Sequence, residues 1–386
     1  MYKVLLTGAT GFLGGELLVE LSKVSCVEKI VCLVRAPNEG DAGRRLERVF
    51  ALHNDPYDSK KVLPLAADLL DSRLSYDLLR DSRLRDINVI IHAAANTSFL
   101  AQKQTAIEAT NVFGTGRLLD WALNLDKLAT FAYVGTATMV GCSPDVVGRT
   151  ILETDDLDCS AEHLVGYTRS KMLAEMEVRS RVPREKLLVI RPSILLGDSR
   201  CVVPRSYDIA WIIAASQRLR MNFSSPDAAC DILPVDYAAR AIVKLLLAER
   251  HYLMYHVSAG QSASTLGELG KATISSWEGA PPLVFATKPD LAALKKWLRG
   301  GPPDARLRPF RQHLEYLKES VGLREVRLLL SGLEAYWKFM DLNQRFDNAR
   351  LLADTDIEAP EPASQYLKRT LSFLECVDPL AAAVNP

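Results

Sequence analysis

Charge of one sign is what this 386-residue chain most plainly lacks: Lys plus Arg and Asp plus Glu each number 47. Without a basic field there is nothing to gather a nucleic-acid backbone, although a local positive pocket for one phosphate stays open. Cysteines are also scarce, seven in all, at 26, 32, 142, 159, 201, 230 and 376. They form no C-x-x-C pair and no Cys/His cluster with zinc-ligand spacing, so no metal is expected. No run of about 18 apolar residues is present, so no membrane span is expected. The chain enters a strand-like Tyr2-Lys3-Val4-Leu5-Leu6 without a charged leader or cleavage site. Reduced, packing thiols and a cytoplasmic location are the resulting expectations.

The length suits one large domain with an appendage, or two domains. Over the first 200 residues, short β-rich apolar runs alternate with amphipathic helical stretches. The runs are Val4–Thr7, Ile30–Val34, Val62–Leu65, Val89–His92, Phe131–Val134 and Leu187–Ile190; the helical stretches include Gly15–Lys23, Gln104–Leu123 and Ser170–Arg181. Continuous apolar strands separated by helices predict an α/β fold, a doubly wound parallel Rossmann sheet covered on both faces. Residues 1–200 are therefore read as a nucleotide-binding Rossmann domain, with a strand near 252–258 returning to it. Residues 201–386 are read as a smaller, mostly helical substrate-binding region, with helices over Arg205–Arg220, Tyr237–Glu249, Leu266–Trp277, Pro289–Leu298, Phe310–Val321 and Glu325–Phe339.

The turn Thr7-Gly8-Ala9-Thr10-Gly11-Phe12-Leu13-Gly14 follows a strand and opens a helix, the context in which a glycine triplet binds a dinucleotide. Gly8 permits the tight turn, Gly11 lets a pyrophosphate approach the backbone, and Gly14 lets the helix pack on the sheet. Thr10, Phe12 and Leu13 complete the contact, and the helix N-terminus offers free N–H groups to phosphate. The second strand ends in Arg35, where an acidic residue would instead suit the ribose hydroxyl of NAD. A guanidinium there can fork onto a 2′-phosphate, unless it is a solvated surface arginine. Arg44 and Arg45 can close over the same group or face solvent. Asp68-Leu69 ends the third strand, where the carboxylate meets the adenine amino group or caps a helix. Ala93, Ala94 and Ala95 are small enough for the cofactor to pass close to the backbone.

Tyr167 and Lys171 stand at i and i+4, one helical turn apart on one face. A phenol titrating at about 10 is a poor acid at neutral pH, and an adjacent ammonium is expected to lower that value. Lys171 can also hold the nicotinamide ribose. Thr136, just beyond the end of a central strand, can donate to a carbonyl oxygen as negative charge develops there, with Thr138 as rival. Without the Tyr/Lys pair, either would pass for an ordinary strand-end threonine. His92 is read as a satisfied histidine rather than a base. Asn111, mid-helix and followed by Gly114 and Gly116, needs compensation from close packing or from a polar task near the site.

With these residues in place, the chain resembles the extended short-chain dehydrogenase/reductases, and more narrowly the thioester reductases and fatty acyl-CoA reductases. The matching text is Thr7–Gly14, Val31-Cys32-Leu33-Val34-Arg35-Ala36 with Arg45-Leu46, Ile91-His92-Ala93-Ala94-Ala95, Asn111-Val112-Phe113-Gly114-Thr115, Tyr167–Lys171 with Met172-Leu173-Ala174-Glu175, and Arg191-Pro192-Ser193. The likeness covers roughly residues 1–260. It implies Thr136, Tyr167 and Lys171 as the catalytic trio with Asn111 in support, Pro192 and Ile194 beside the cofactor, and NADPH as hydride donor. It implies an acyl thioester on coenzyme A, or on an acyl or peptidyl carrier protein, as substrate, giving aldehyde or alcohol. Gly135 departs from the serine of many relatives and alters the oxyanion pocket. No carrier or adenylation domain is attached, so any thioester is expected to arrive from outside. The competing readings are a reductase or dehydrogenase of a free ketone, aldehyde or secondary alcohol, and a non-catalytic NADP-binding sensor or scaffold. A sugar-nucleotide epimerase fits poorly, because it would favour an acidic residue where Arg35 stands.

Overall fold

The computed structural model describes residues 1–155, 157–200, 207–274, 279–302, 304–370 and 378–384. Seven strands form one sheet: β1 (Tyr2–Thr7), β2 (Val27–Val34), β3 (Val62–Ala66), β4 (Val89–His92), β5 (Thr130–Val134), β6 (Leu187–Pro192) and β7 (Met254–Val257). Their order is β7-β6-β5-β4-β1-β2-β3, and every pairing is parallel. The order reverses between β1 and β4, so the crevice beyond the C-terminal ends of those strands is where such a sheet takes a ligand.

The α-helices among the described residues are α1 (Phe12–Lys23), α2 (Glu39–Leu52), α3 (Leu74–Arg80), α4 (Gln104–Glu108), α5 (Gly114–Ala122), α6 (Gly166–Arg181), α7 (Tyr207–Leu219), α8 (Val235–Leu247), α9 (Leu266–Thr273), α10 (Lys288–Leu298), α11 (Arg311–Tyr316), α12 (Leu323–Met340), α13 (Ala349–Asp354), α14 (Ala363–Tyr366) and α15 (Pro379–Val384). Local chemistry starts several of them. Asn38 Oδ1 accepts from Asp41 N at the head of α2, and Thr265/Glu268 and Thr287/Asp290 form capping boxes on α9 and α10. Because strand side chains alternate, Leu6, Cys32 and Ile91 join α1, α2 and α8 on one face, while Leu5, Val31 and Ile90 join α3, α5 and α6 on the other.

A third core gathers α7, α9, α10 and α12 around Trp211, Leu294, Leu329 and Leu333. Chain order and spatial unit part company here. A division at residue 200 cuts through the sheet unit, since α8, β7 and Leu351 of α13 pack in the first core. Their apolar spacing is the same as that of the helices in the third core, so periodicity cannot say which core they serve. The segment expected as one helix over Gln104–Leu123 is instead α4, a π-helical turn at Ala109–Phe113, and α5. Cys201, Cys376, the start of the helix expected at Arg205–Arg220 and the Trp277 end of the one expected at Leu266–Trp277 lie outside the described residues. Among the described residues no helix is long and apolar enough to cross a membrane, and no group of three His, Cys, Asp or Glu is placed to hold a metal.

Candidate active site

The glycine turn is built by contacts within the chain. Gly8 has φ +76, and a Cβ there would lie 2.7 Å from Ala94 N; a Cβ on Gly14 would lie 2.1 Å from Gly8 O. Gly11 N donates to Gly8 O at 2.8 Å. Turn, strand β1 and the Ala93-Ala94 backbone are therefore in direct contact, which only glycine at 8 and 14 permits. Helix α1 begins at Gly11 with no side-chain cap and no acidic residue in its first turn. Its first N–H groups are left for an anion, so the cradle fits a dinucleotide pyrophosphate.

Of the three candidate arginines, all exposed, Arg45 reaches the turn, donating to Arg35 O at 2.5 Å and to Thr10 Oγ1 at 3.1 Å. It ties the end of β2 to the glycine turn. Arg35 is exposed beside it. Arg44 does not join them: it pairs with Asp41 on the exposed side of α2, because successive helical residues point about 100° apart. Asp68 Oδ1 accepts from Leu70 N at 2.9 Å, forming a local turn, while Leu69 is buried and its carbonyl accepts from Arg117. Pro192 is buried at the end of β6, and Ile194 starts a short parallel pair with Ile232–Leu233.

His92 is fully committed. Ala94 N donates to Thr7 Oγ1 at 3.1 Å, and Thr7 Oγ1 meets His92 Nδ1 at 2.8 Å. His92 Nε2 meets Thr115 Oγ1 at 2.9 Å, whose own proton goes to Asn111 O at 2.6 Å. Thr115 must then accept from Nε2–H, which leaves Nδ1 to accept from the Thr7 hydroxyl. Burial, followed by the Lys171 charge, pushes the imidazole down to about 3, so it stays neutral. Asn111 is committed likewise: Oδ1 accepts from Asn96 N at 2.7 Å, and Nδ2 donates to Asn96 O at 2.9 Å and Ser170 Oγ at 2.8 Å. The π-turn's extra residue re-aims Asn111 off the helix, so it clasps the segment after β4 to α6.

Thr136 follows β5, its hydroxyl 2.9 Å from Thr138 Oγ1 and hydrogen-bonded to the Tyr167 phenol. Lys171 Nζ donates to Val134 O at 2.5 Å and lies 4.5 Å from the centre of the Tyr133 ring. Here the electrostatics differ from expectation. Burial pushes Tyr167 up to about 12, and the Thr136 bond lowers it only in part; Lys171 has no part in the shift. Its ammonium is directed to Val134 O and Tyr133, and burial brings Lys171 down to about 7 against the opposing pull of Glu175. Such a site holds a protonated phenol as a donor, next to an ammonium poised near neutrality.

Two residues of the matching text that carried no role complete the site. Glu175 and Arg191 form a fully buried ion pair, with Nη2 to Oε1 at 2.5 Å and Nε to Oε2 at 3.0 Å. Glu175 lies one turn after Lys171, a spacing that offered the signal. At Gly135, an added Cβ would stand 2.8 Å from Met139 Cε and 3.2 Å from Glu175 Oε2, so the volume of a serine side chain is taken by these two groups. Phe99, on the segment between β4 and α4, stacks near Tyr167 at 6.1 Å between ring centres. No periodicity marked it.

A family model described as male sterility protein matches residues 6–242. A linear gramicidin synthase polypeptide of Brevibacillus parabrevis is 30% identical over 251 residues, which cover 64% of this chain and 5% of that protein. Fatty acyl-CoA reductase 2 of Mus musculus is 28% identical over 305 residues, covering 67% of this chain and 58% of the reductase. The chain thus spans a small part of the first and little over half of the second. In fold it is similar to the terminal R domain from the myxalamid PKS-NRPS biosynthetic pathway, with a TM-score of 0.73, 22% identity, and coverage of 97% of this chain and 91% of that one.

Proposed function

Because the chain belongs to the male sterility protein family, we propose that it is an NADPH-dependent reductase of acyl thioesters carried on coenzyme A or on an acyl or peptidyl carrier protein. The observation that carries this reading is the Thr136–Tyr167 hydroxyl pair with Lys171 on the same helix as Tyr167, at the same C-terminal end of the sheet as the glycine turn. The relatives named as a fatty acyl-CoA reductase and a linear gramicidin synthase support the thioester. Arg35 just past β2, and Arg45 of α2 bonded to its carbonyl, support the 2′-phosphate of NADPH over NADH.

A bound nicotinamide supplies the hydride. Gly8, Thr10, Gly11, Phe12, Leu13 and Gly14 would hold the pyrophosphate at α1, Ala93, Ala94 and Ala95 would back the cofactor, Asp68 and Leu69 would flank the adenine, and Pro192 and Ile194 would close the far side. Thr136 and Tyr167 donate to the substrate carbonyl oxygen, and Tyr167 gives up its proton as that oxygen gains charge. Lys171 would hold the nicotinamide ribose, and Asn111 acts indirectly by fixing the helix that carries both Tyr167 and Lys171. The protonated hemithioacetal collapses to aldehyde and thiol; a second round would give the alcohol.

The test is NADPH oxidation over a panel of acyl-CoAs, acyl-pantetheines and matching free ketones, with product masses. Thioester turnover with aldehyde or alcohol product is expected, and Tyr167→Phe is expected to slow it about 10²–10⁴-fold. Turnover of ketones alone would make the chain a free-carbonyl reductase instead. An unchanged rate in Tyr167→Phe would remove the phenol from the mechanism.

A further inference from the structure

The segment between β4 and α4 belongs to neither helical unit nor sheet, yet it is held in place. Asn111 clasps Asn96 from both sides, Asn96 Oδ1 accepts from Ser98 N at 3.2 Å, and Ser98 Oγ accepts from Leu100 N at 3.2 Å. These bonds fix the backbone on both sides of Phe99 and aim its ring across the site. The ring stands between the two halves of the molecule. On one side is Tyr167, with centres 6.1 Å apart and planes at 27°. On the other are Tyr336 at 5.1 Å and 17°, and Phe339 at 5.7 Å, both from α12. Tyr336 in turn meets the buried Trp211 edge-on at 5.6 Å.

We propose that Phe99 determines acyl-group specificity, as the wall against which the substrate's acyl chain packs between the Tyr167 phenol and α12. The proposal rests on the thioester reading above. A carbonyl that reaches both Thr136 and Tyr167 must trail its acyl group past the ring stacked beside that phenol. The surface these rings present is apolar and aromatic from Phe99 through Phe339 and carries the Tyr336 and Tyr167 hydroxyls. It therefore suits a neutral acyl chain, and a flat conjugated or aryl chain gains further from offset stacking. Because the backbone around Phe99 is clasped by its own hydrogen bonds, truncating the ring opens space between α6 and α12 at the cost of its contacts with Tyr167, Tyr336 and Phe339.

The experiment compares kcat and KM for a short straight-chain and a bulky aryl acyl-CoA in the wild type, Phe99→Ala, Phe99→Leu and Phe99→Trp, with the NADPH Kd measured for each. Phe99→Ala is expected to shift the bulky-to-short ratio of kcat/KM about tenfold or more toward the bulky substrate, chiefly through KM. Phe99→Trp is expected to shift it the other way, Phe99→Leu to lie between, and the NADPH Kd to stay constant. A ratio that is the same in all four proteins overturns the proposal. If the wild type turns over ketones but no thioester, the thioester reading fails by itself, and the same ratio read on short and aryl ketones decides the role of Phe99. No turnover of either class overturns both.

Discussion

Lys171 is a cation almost out of reach of water, and what surrounds it decides when it carries its charge. Val134 O and the Tyr133 ring favour the ammonium locally, and Glu175 favours it electrostatically, yet burial still brings it down to about 7. A lysine with a lowered pKa is charged below that value and neutral above it. Any step that needs the ammonium is therefore complete below about pH 7 and fades as pH rises through it. The alkaline limb of kcat/KM for the free enzyme is expected to carry this midpoint. Glu175→Gln removes the favourable charge, so its limb is expected to move to lower pH, which a purely structural defect would not do. The same change leaves the Arg191 guanidinium buried without its carboxylate, at a cost of about 3–5 kcal/mol that a urea titration would read. The opposite signs at Tyr167 and Lys171 come from one cause, since burial disfavours the charged form of each. Sequence spacing placed the two groups on one helix face correctly but carried no information about how deeply they lie, so it led to the wrong direction for the phenol.

Among the elements, the π-helical turn at Ala109–Phe113 joins backbone geometry to the site. A regular helix would direct Asn111 along the helix face; the extra residue turns it onto Asn96 and Ser170. Asn111→Ala leaves Asn96 N, Asn96 O and Ser170 Oγ with lost partners in a site largely closed to water. A loss of about 1–3 kcal/mol is expected by chemical denaturation. A lower kcat with an unchanged NADPH Kd is expected alongside it, because the clasp orients the Tyr167 helix and not the glycine turn. The anomaly was legible: an asparagine and two glycines inside a helical pattern announced a conflict, though not its resolution. The glycine turn was legible for a different reason, since the clashes that demand Gly8 and Gly14 come from residues adjacent in the turn or at the end of β4. Phe99 and the α12 aromatics were illegible, because they meet only through tertiary packing of segments more than two hundred residues apart in the chain.

Across the whole molecule the sheet unit and the helical core are laced together rather than joined by one linker. The chain leaves the sheet after β6, builds α7, returns for α8 and β7, leaves again for α9 to α12, and returns once more for α13. Arg345–Phe346 pairs with Thr150–Ile151, and the buried Asp231 accepts from both Ala259 N and Phe346 N, so the returning segment is hydrogen-bonded to the sheet unit. Separate melting of the helical unit would break these contacts each time the chain crosses. One cooperative thermal transition is therefore expected by calorimetry, and two resolved transitions would show that the crossings do not couple the cores. Binding of NADPH at the glycine turn is then expected to move the entire transition. At a free concentration about a hundredfold above Kd the stabilisation is about 2.7 kcal/mol, which corresponds to a rise of about 2–4 °C for a chain of this size. NADH at the same concentration is expected to give a smaller rise. Arg35→Ala should cut the NADPH shift toward the NADH value while leaving the NADH shift unchanged, since the guanidinium meets only the 2′-phosphate. Equal shifts for the two nucleotides in the wild type would remove Arg35 and Arg45 from cofactor choice while leaving the glycine turn as the site.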